Sequence, residues 1–149
     1  MGMIKKITLF LSFSLAQKKL LIESYSYLAW ARYLKSIPFS KVVPSLGAVM
    51  QETALETDPA NKKTLGEISQ AIHLASKYTF FESQCLVKAI AAMKMLEKRK
   101  IESTLYLGTA RDEDGQLIAH AWIRSGPFYI TGSEGMERFT VVSKFAKNV

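Results

Sequence analysis

The chain has few of the residue types that build disulfide scaffolds and zinc sites. Its 149 residues include one cysteine, Cys85, so no disulfide can form within the chain, and a reducing compartment is favoured. The two histidines, His73 and His120, would give a zinc site of cysteine and histidine at most three ligands, and their spacing fits no zinc motif. We therefore expect a cytoplasmic protein without a metal or a cofactor.

Acidic residues are fewer than basic ones, 13 against 20, which gives a net charge of +7. The positive charge is concentrated in two stretches, and such a run most often forms a solvated surface. We therefore expect no nucleic-acid partner, although the charge balance alone would permit one. The basic residues of the two stretches are Lys5, Lys6, Lys18, Lys19, Arg32 and Lys35, and then Lys88, Lys94, Lys98, Arg99, Lys100 and Arg111.

No apolar run in the sequence is long enough to cross a bilayer as a helix. The start of the chain, with two lysines before a short apolar stretch at 7–16, has the composition of a secretory signal peptide. Its apolar residues recur at spacings of three and four, however, which is typical of an amphipathic helix. We prefer the helix, and a signal peptide or a membrane-surface helix are the alternatives. The apolar series is Ile4, Ile7, Leu11 and Leu15.

Helical periodicity dominates the earlier part of the sequence. Apolar residues at helical spacing predict one or two helices up to about Lys35, before Pro38, and further helices at about 62–78 and 83–98. Because no repeat and no low-complexity linker interrupts the chain, we expect a single domain over 1–149. Within it, a helical part would take about 1–80, and the Cys85 helix with a sheet would take about 81–149.

The periodicity changes after residue 100 to the alternation that is typical of strands. Strands are predicted at 103–109, 117–124 and 128–131, and a fourth at 139–142. An Asp-Gly turn within 112–115 joins the first two strands as a hairpin. Helices followed by a small, mostly antiparallel sheet define an α+β fold, in which the Cys85 helix packs on one face of the sheet.

Cys85 is placed by the helical pattern at the first turn of its helix, with Ser83 as the expected N-cap. The unpaired N–H groups and positive potential of a helix start favour a thiolate over a thiol, and they can also hold a developing oxyanion. Both properties suit a nucleophilic cysteine. The alternative is a small buried side chain, because free cysteine is among the most buried residue types.

His120 lies in the middle of the second predicted strand. Alternation places Trp122 on the same face as His120, where it would shield the imidazole from water, and the small residues Ala119 and Ala121 on the other. A thiolate needs a base and an ion-pair partner, and imidazole is the usual one. Cys85 and His120 together therefore indicate nucleophilic catalysis more strongly than either residue alone.

Two motifs, in this order, resemble the transglutaminase-like cysteine peptidases of lasso-peptide biosynthesis. One is the Cys-Leu-Val-Lys-Ala-Ile segment that begins at Cys85, and the other is Ala-His-Ala-Trp-Ile at 119–123. Flanking segments at 38–47 and 139–145 resemble the same family, and the similarity extends over about 20–145. The chain resembles in particular the stand-alone leader peptidase, which lacks a fused leader-recognition domain. The resemblance implies a transglutaminase/papain-like core.

The resemblance also implies a division of labour around a ribosomally made precursor peptide. A separate leader-recognition protein captures the leader, the peptidase cuts between leader and core, and an ATP-dependent lasso cyclase closes the core. Cys85 would be the nucleophile, His120 the general base and acid, and the backbone N–H of Cys85 an oxyanion donor. We expect the basic helix at 88–100 to dock the partner protein or an acidic peptide.

The sequence departs from the family pattern at the third catalytic residue, the one that orients the imidazole. Many members place an aspartate, which orients the imidazole, about a dozen residues after the histidine. This chain has Ile-Thr-Gly-Ser-Glu at 130–134 instead. Glu134 lies two positions late, Asp112 and Asp114 lie in the preceding hairpin turn, and a backbone carbonyl could also fix the imidazole tautomer. The third role therefore stays open, with Glu134 as the candidate side chain.

Two other functions stay open at this stage. The same Cys85 and His120 pair could transfer an acyl group to an amine, as in transglutaminases, and the product mass would distinguish transfer from hydrolysis. Alternatively, Cys85 is structural and the chain is a non-catalytic basic interaction module, whose binding would weaken steeply with salt. His73, inside an amphipathic helix, is interpreted as a surface or core-edge residue in each case.

Overall fold

Helices pack on a five-stranded antiparallel sheet, which confirms the α+β fold predicted from the change in periodicity. The structure is a computed structural model, and it describes residues 2–78 and 84–149. The helices are α1 (Met3–Ser12), α2 (Leu15–Lys35), α3 (Phe39–Val42), α4 (Asn61–Lys77) and α5 (Cys85–Lys98). The strands are β1 (Ala48–Val49), β2 (Ser103–Arg111), β3 (Leu117–Ser125), β4 (Phe128–Thr131) and β5 (Thr140–Lys147), with 3₁₀ turns at Val43–Ser45 and Met136–Arg138.

The start of the chain is helical, as the spacing predicts, and it forms two helices separated at Phe13 and Ser14 where the sequence leaves one or two helices open. Ser14 begins α2 with a capping box: its hydroxyl accepts from the N–H of Gln17, and the Gln17 side chain accepts from the N–H of Ser14. The apolar series of α1 faces solvent, with Ile4 81% and Leu11 64% exposed. None of the helices in the described ranges is long and apolar enough to cross a membrane.

The apolar core lies between α5 and the sheet, and α2 and α4 close it. α5 contacts α2, α4, β2, β3 and β4, and eight of its 14 residues are buried, which makes it the central helix. α4 buries the face that its spacing predicts, which is formed by Leu65, Ile68, Ile72 and Ala75. The predicted stripe of α5 is buried at Ala89, Ile90, Met93 and Leu96. Leu86, in the first turn of α5, is half-buried.

The strand order is β1-β5-β2-β3-β4, and all neighbours are antiparallel. The predicted hairpin forms between β2 and β3: the Asp112 carboxylate accepts from the N–H groups of Asp114 and Gln116, and Gly115 adopts a φ of 78°. The strands predicted at 103–109, 117–124 and 128–131 are present, with small changes at their ends. β4 is the edge strand at the end of the sheet that carries the candidate site.

The structure corrects the extent of the last strand, which the sequence predicts at 139–142. β5 runs to Lys147, and it pairs with the short strand β1, which the sequence does not predict. Lys144 and Lys147 interrupt the apolar alternation of β5, so the pattern alone ends the strand too early. Both ammonium groups find carboxylates: Lys144 Nζ lies 3.0 Å from Glu52 and Lys147 Nζ lies 2.8 Å from Glu97.

Several cations at α5 are paired within the chain, which differs from the open basic face that the sequence predicts at 88–100. Arg99, just after the helix, donates two hydrogen bonds to the Glu23 carboxylate at 2.7 and 2.8 Å. Lys94 Nζ lies 3.6 Å from Glu97, and burial lowers the pKa of the Lys94 ammonium group. α5 is thus joined to α2 by charge as well as by apolar packing.

Candidate active site

Cys85 is the first residue of α5, and its thiol is free and half-buried. The helix begins here because Gln84 has an extended backbone, with φ −75° and ψ 171°, and acts as N-cap without a side-chain capping bond. The first N–H groups of a helix have no partner within it, so the start of α5 presents donors and positive potential beside the thiol. The predicted cap, Ser83, lies outside the described residues. The side-chain carbonyl of Gln84 accepts a hydrogen bond from Lys35.

The start of α5 opens into a cleft of about 380 Å³ at the edge of the sheet, where β4 ends. Its walls come from α4, α5, β3, β4 and the residues that follow β4. The cleft brings together the three side chains that the sequence singles out, Cys85, His120 and Glu134. Lys88 adds a positive charge one helical turn after Cys85, and Glu134 adds an exposed carboxylate.

α4 supplies a wall of this cleft that the sequence does not predict. Ser69 Oγ donates a hydrogen bond to the backbone carbonyl of Ile130 at 2.7 Å, which ties α4 to β4. His73, one turn further along α4, is exposed and lines the same cleft as Cys85. The spacing of four residues puts Ser69 and His73 on one helix face. This spacing is the sequence feature from which a polar wall on α4 could have been predicted.

The imidazole of His120 contacts two aromatic rings, and alternation predicts one of them, that of Trp122. The ring centroid of His120 lies 5.7 Å from that of Trp122 and 5.0 Å from that of Phe139. We call Trp122 and Phe139 the imidazole clamp. Gly108, which pairs with His120 across β2 and β3, makes room for the clamp: a Cβ at Gly108 would lie 2.9 Å from atoms of both clamp side chains.

A backbone group fixes the same ring a second time. His120 Nε2 lies 2.6 Å from the carbonyl oxygen of Gly132, the residue that directly follows β4. A carbonyl oxygen only accepts hydrogen bonds, so Nε2 carries the hydrogen and donates it. Glu134 lies two residues further on, and within the described part of the chain it makes no hydrogen bond or ion pair with His120.

A buried arginine supports the clamp on the same face of the sheet. Trp122 stacks on Tyr106 with centroids 5.7 Å apart and planes 13° apart, and the Tyr106 hydroxyl accepts from Arg124 Nε at 3.0 Å. Arg124 is 3% exposed. Its guanidinium also donates to three backbone carbonyls, those of Thr53, Ala54 and Gly126, at 3.0, 3.1 and 2.7 Å. A continuous row of contacts therefore runs from the guanidinium to the imidazole. Alternation along β3 was the sequence signal for this row.

The groups in the cleft suit nucleophilic attack on a carbonyl carbon followed by proton transfer. Cys85 and His120 share the cleft without a hydrogen bond between them in the described contacts, and such catalytic bonds often tighten only when substrate binds. Over residues 2–78 and 84–149, no three histidine, cysteine, aspartate or glutamate side chains are grouped so that they could hold a metal ion.

Comparison with known families agrees with this geometry. The model of the transglutaminase-like superfamily matches residues 33–144, a span that includes both the Cys85 helix and the His120 strand. The match covers well over half of the chain, so the protein belongs to the transglutaminase-like superfamily. Members of this superfamily are typically cysteine peptidases or acyltransferases. No curated protein and no solved structure matches the chain.

Proposed function

We propose that this chain is a cysteine endopeptidase that removes the leader from a ribosomally made lasso-peptide precursor. The observation that carries the proposal is a single cleft that holds Cys85 at a helix start and His120 on a neighbouring strand. Membership of the transglutaminase-like superfamily supports cysteine chemistry at that pair. The motifs at 85–90 and 119–123 support the narrower assignment, because they resemble those of the stand-alone leader peptidases.

In the first half of the proposed reaction, the peptide bond between leader and core is broken. His120 takes the thiol proton, Cys85 Sγ attacks the scissile carbonyl carbon, and the carbonyl oxygen takes up the negative charge. The backbone N–H of Cys85 and the positive end of α5 stabilise that oxyanion. When the intermediate collapses, the C–N bond breaks and His120 gives its proton to the leaving amine of the core. The leader remains as a thioester on Cys85.

In the second half, water clears the acyl-enzyme. His120 removes a proton from the water as the oxygen attacks the thioester carbon, and the C–S bond then breaks. The leader leaves as a carboxylic acid, and the proton held by His120 is returned to the Cys85 thiolate or to solvent. One water molecule is consumed for each bond cut, and no metal or cofactor takes part.

The proposal places this peptidase in the cytoplasm beside three partners: the precursor peptide, a separate leader-recognition protein and the lasso cyclase. The support is again the resemblance to the stand-alone form, which lacks a fused recognition domain. The freed core amine is the group that the cyclase joins to an acidic side chain. Cleavage by this chain would therefore come before ring closure.

The test is mass spectrometry of a lasso-peptide precursor that has been incubated with this chain and the leader-recognition protein of the same gene cluster. We expect two fragments whose masses add up to that of the precursor and one water. A product that carries an added amine, without water, would assign an acyltransferase. An unchanged precursor, with salt-sensitive binding as the only effect, would contradict the proposal and favour the basic interaction module.

Variants of the two central residues complete this test. Cys85→Ala should abolish cleavage, and His120→Ala should lower kcat/KM by about 10²–10⁴-fold, the usual contribution of a positioned general base. His73→Ala is the matched control, because it removes the other histidine of the chain from the wall of the same cleft. Equal losses in the two histidine variants would contradict the role assigned to His120.

A further inference from the structure

We propose that the backbone carbonyl of Gly132, and not a carboxylate, orients His120 in the active site. The proposal rests on the proposed Cys85–His120 chemistry and assigns the one role that the sequence leaves open. Gly132 lies 12 positions after His120, at the place where the resembling peptidases carry an aspartate. Gly132 is thus a positioning residue that acts through its main chain.

The hydrogen bond decides which nitrogen of His120 acts as the base. Because the Gly132 oxygen can only accept, Nε2 carries the hydrogen, and the neutral ring has its lone pair on Nδ1. Nδ1 is then the atom that takes the proton from Cys85. An aspartate in the usual third position does the same by accepting from the far nitrogen of the imidazole. The carbonyl therefore performs the orienting part of that role.

The backbone can reach His120 because residue 132 is glycine. Its φ of 77° lies in the left-handed region, which side chains with a Cβ rarely adopt. A Cβ on Gly132 would lie 2.4 Å from the carbonyl oxygen of Ala121 and 2.9 Å from Trp122 Cβ, both on β3 beside His120. An aspartate at this position would not fit. The main-chain carbonyl of Gly132 therefore orients His120 in place of a side-chain carboxylate.

The imidazole clamp makes a carboxylate unnecessary for orientation. Trp122 and Phe139 fix the plane of the His120 ring, and the Gly132 bond fixes its rotation within that plane. A carboxylate would also stabilise the imidazolium charge more than a neutral carbonyl does. Glu134 lines the cleft as an exposed side chain, but it is not bonded to the ring. The orienting contact of His120 is therefore neutral.

The test is NMR of protein labelled with ¹⁵N-histidine, followed through the imidazole N–H protons. We expect one slowly exchanging N–H, on Nε2 of His120, identified by its absence in His120→Ala. It should persist in Glu134→Gln, because Glu134 makes no bond to the ring. It should be lost in Gly132→Ala, because the added Cβ forces the backbone away from β3.

Gly135→Ala is the matched control for Gly132→Ala. Gly135 has nearly the same φ, 72°, so the backbone strain of the two substitutions is similar, but the nearest atom to its Cβ is 3.7 Å away. Gly135→Ala should keep the protected proton and the cleavage rate. Gly132→Ala should lower kcat/KM by about 100-fold, the loss that a misplacement of about 1 Å typically causes.

Loss of the protected proton in Glu134→Gln, its persistence in Gly132→Ala, or its absence from the wild type would each overturn the proposal. If Gly132→Ala does not fold, the spectra of the wild type and of Glu134→Gln still test the proposal. The NMR signal does not depend on peptidase activity. A protected Nε2–H in a protein that cuts no precursor would therefore refute the proposed function and leave this inference standing.

Discussion

The two faces of the central sheet use the same strands for different purposes. The face under α5 is apolar, and across β2, β3 and β5 it is formed by Leu105, Ala121, Ile123 and Phe145. The opposite face carries the row of aromatic and charged side chains that ends at His120. Ile123 and Arg124 are neighbours on β3, and both are buried, but they point to opposite faces.

The two faces differ in how strongly their contacts depend on orientation. Apolar burial is non-directional and stabilises any arrangement that excludes water. Hydrogen bonds and stacked rings are satisfied in only a few orientations, so a fully paired polar network fixes one geometry. We therefore expect substitutions under α5 to change stability alone, and substitutions on the opposite face to change both stability and the reactivity of Cys85.

Arg124→Met should cause the largest loss of stability. The substitution leaves the carbonyls of Thr53 and Gly126, which belong to buried residues, without this donor, and each buried unpaired group costs about 1–3 kcal/mol. We expect the free energy of unfolding in urea to fall by about 2–6 kcal/mol, the combined cost of these two carbonyls.

Arg111→Met is the control for this comparison. Arg111 is an exposed arginine on β2 whose guanidinium donates to the Gly115 carbonyl, and such surface substitutions change stability by about 0.5 kcal/mol or less. A loss in Arg124→Met no larger than the loss in Arg111→Met would show that the polar face does not depend on its arginine.

Gly108→Ala should disturb the imidazole clamp with a smaller loss of stability. The new Cβ must displace Trp122 and Phe139, and overpacking of this kind costs about 1–3 kcal/mol. We expect the rate of Cys85 alkylation to fall as well, because the imidazole moves with the clamp. Gly66→Ala, in the open middle of α4, should instead raise stability by about 0.5–1 kcal/mol and leave the alkylation rate unchanged.

Ile123→Val tests the apolar face on the same strand. It removes one buried methyl group under α5, which costs about 0.5–1.5 kcal/mol in urea unfolding. The rate of Cys85 alkylation should match that of the wild type. A fall in that rate as large as the one in Gly108→Ala would mean that the two faces are not separate in function.

The ion pair between α2 and the end of α5 should have the smallest effect on stability, and that effect should disappear in acid. The hydrogen bond from Arg99 lowers the pKa of Glu23 below its ordinary value of 4.5. The stability from this carboxylate is therefore present above pH 4.5 and is lost as the pH falls through the lowered pKa. Glu23→Gln should lose less unfolding free energy on acidification than the wild type, whereas Glu113→Gln, in the exposed hairpin turn, should follow the wild type.

Periodicity predicts much of the fold and the two central site residues. A stripe of small and aliphatic residues from Cys85 to Leu96 is typical of a buried helix, and alternation at 117–124 is typical of a strand. Alternation also predicts that Trp122 lies beside His120, which the ring contact confirms. These features follow from spacing along the chain alone.

Other features depend on the three-dimensional arrangement and could not be predicted in this way. The bond between His120 and Gly132 needs a left-handed backbone at the end of β4, which periodicity does not encode. The burial of Arg124 runs against the usual exposure of arginine and follows from carbonyls of a distant segment. The position of β5 between β1 and β2 is likewise a property of topology and not of spacing.

The pairing of Cys85 with His120 can be measured through the rate at which iodoacetamide alkylates Cys85, followed against pH in the wild type and in His120→Ala. Cys85 is the only thiol of the chain, so the mass of the intact protein reports its modification. We predict that alkylation stays fast well below pH 8.5, about the pKa of a free thiol, and that His120→Ala abolishes this fast reaction. A slow reaction with the pH dependence of an ordinary thiol, the same in both proteins, would show that His120 does not activate Cys85.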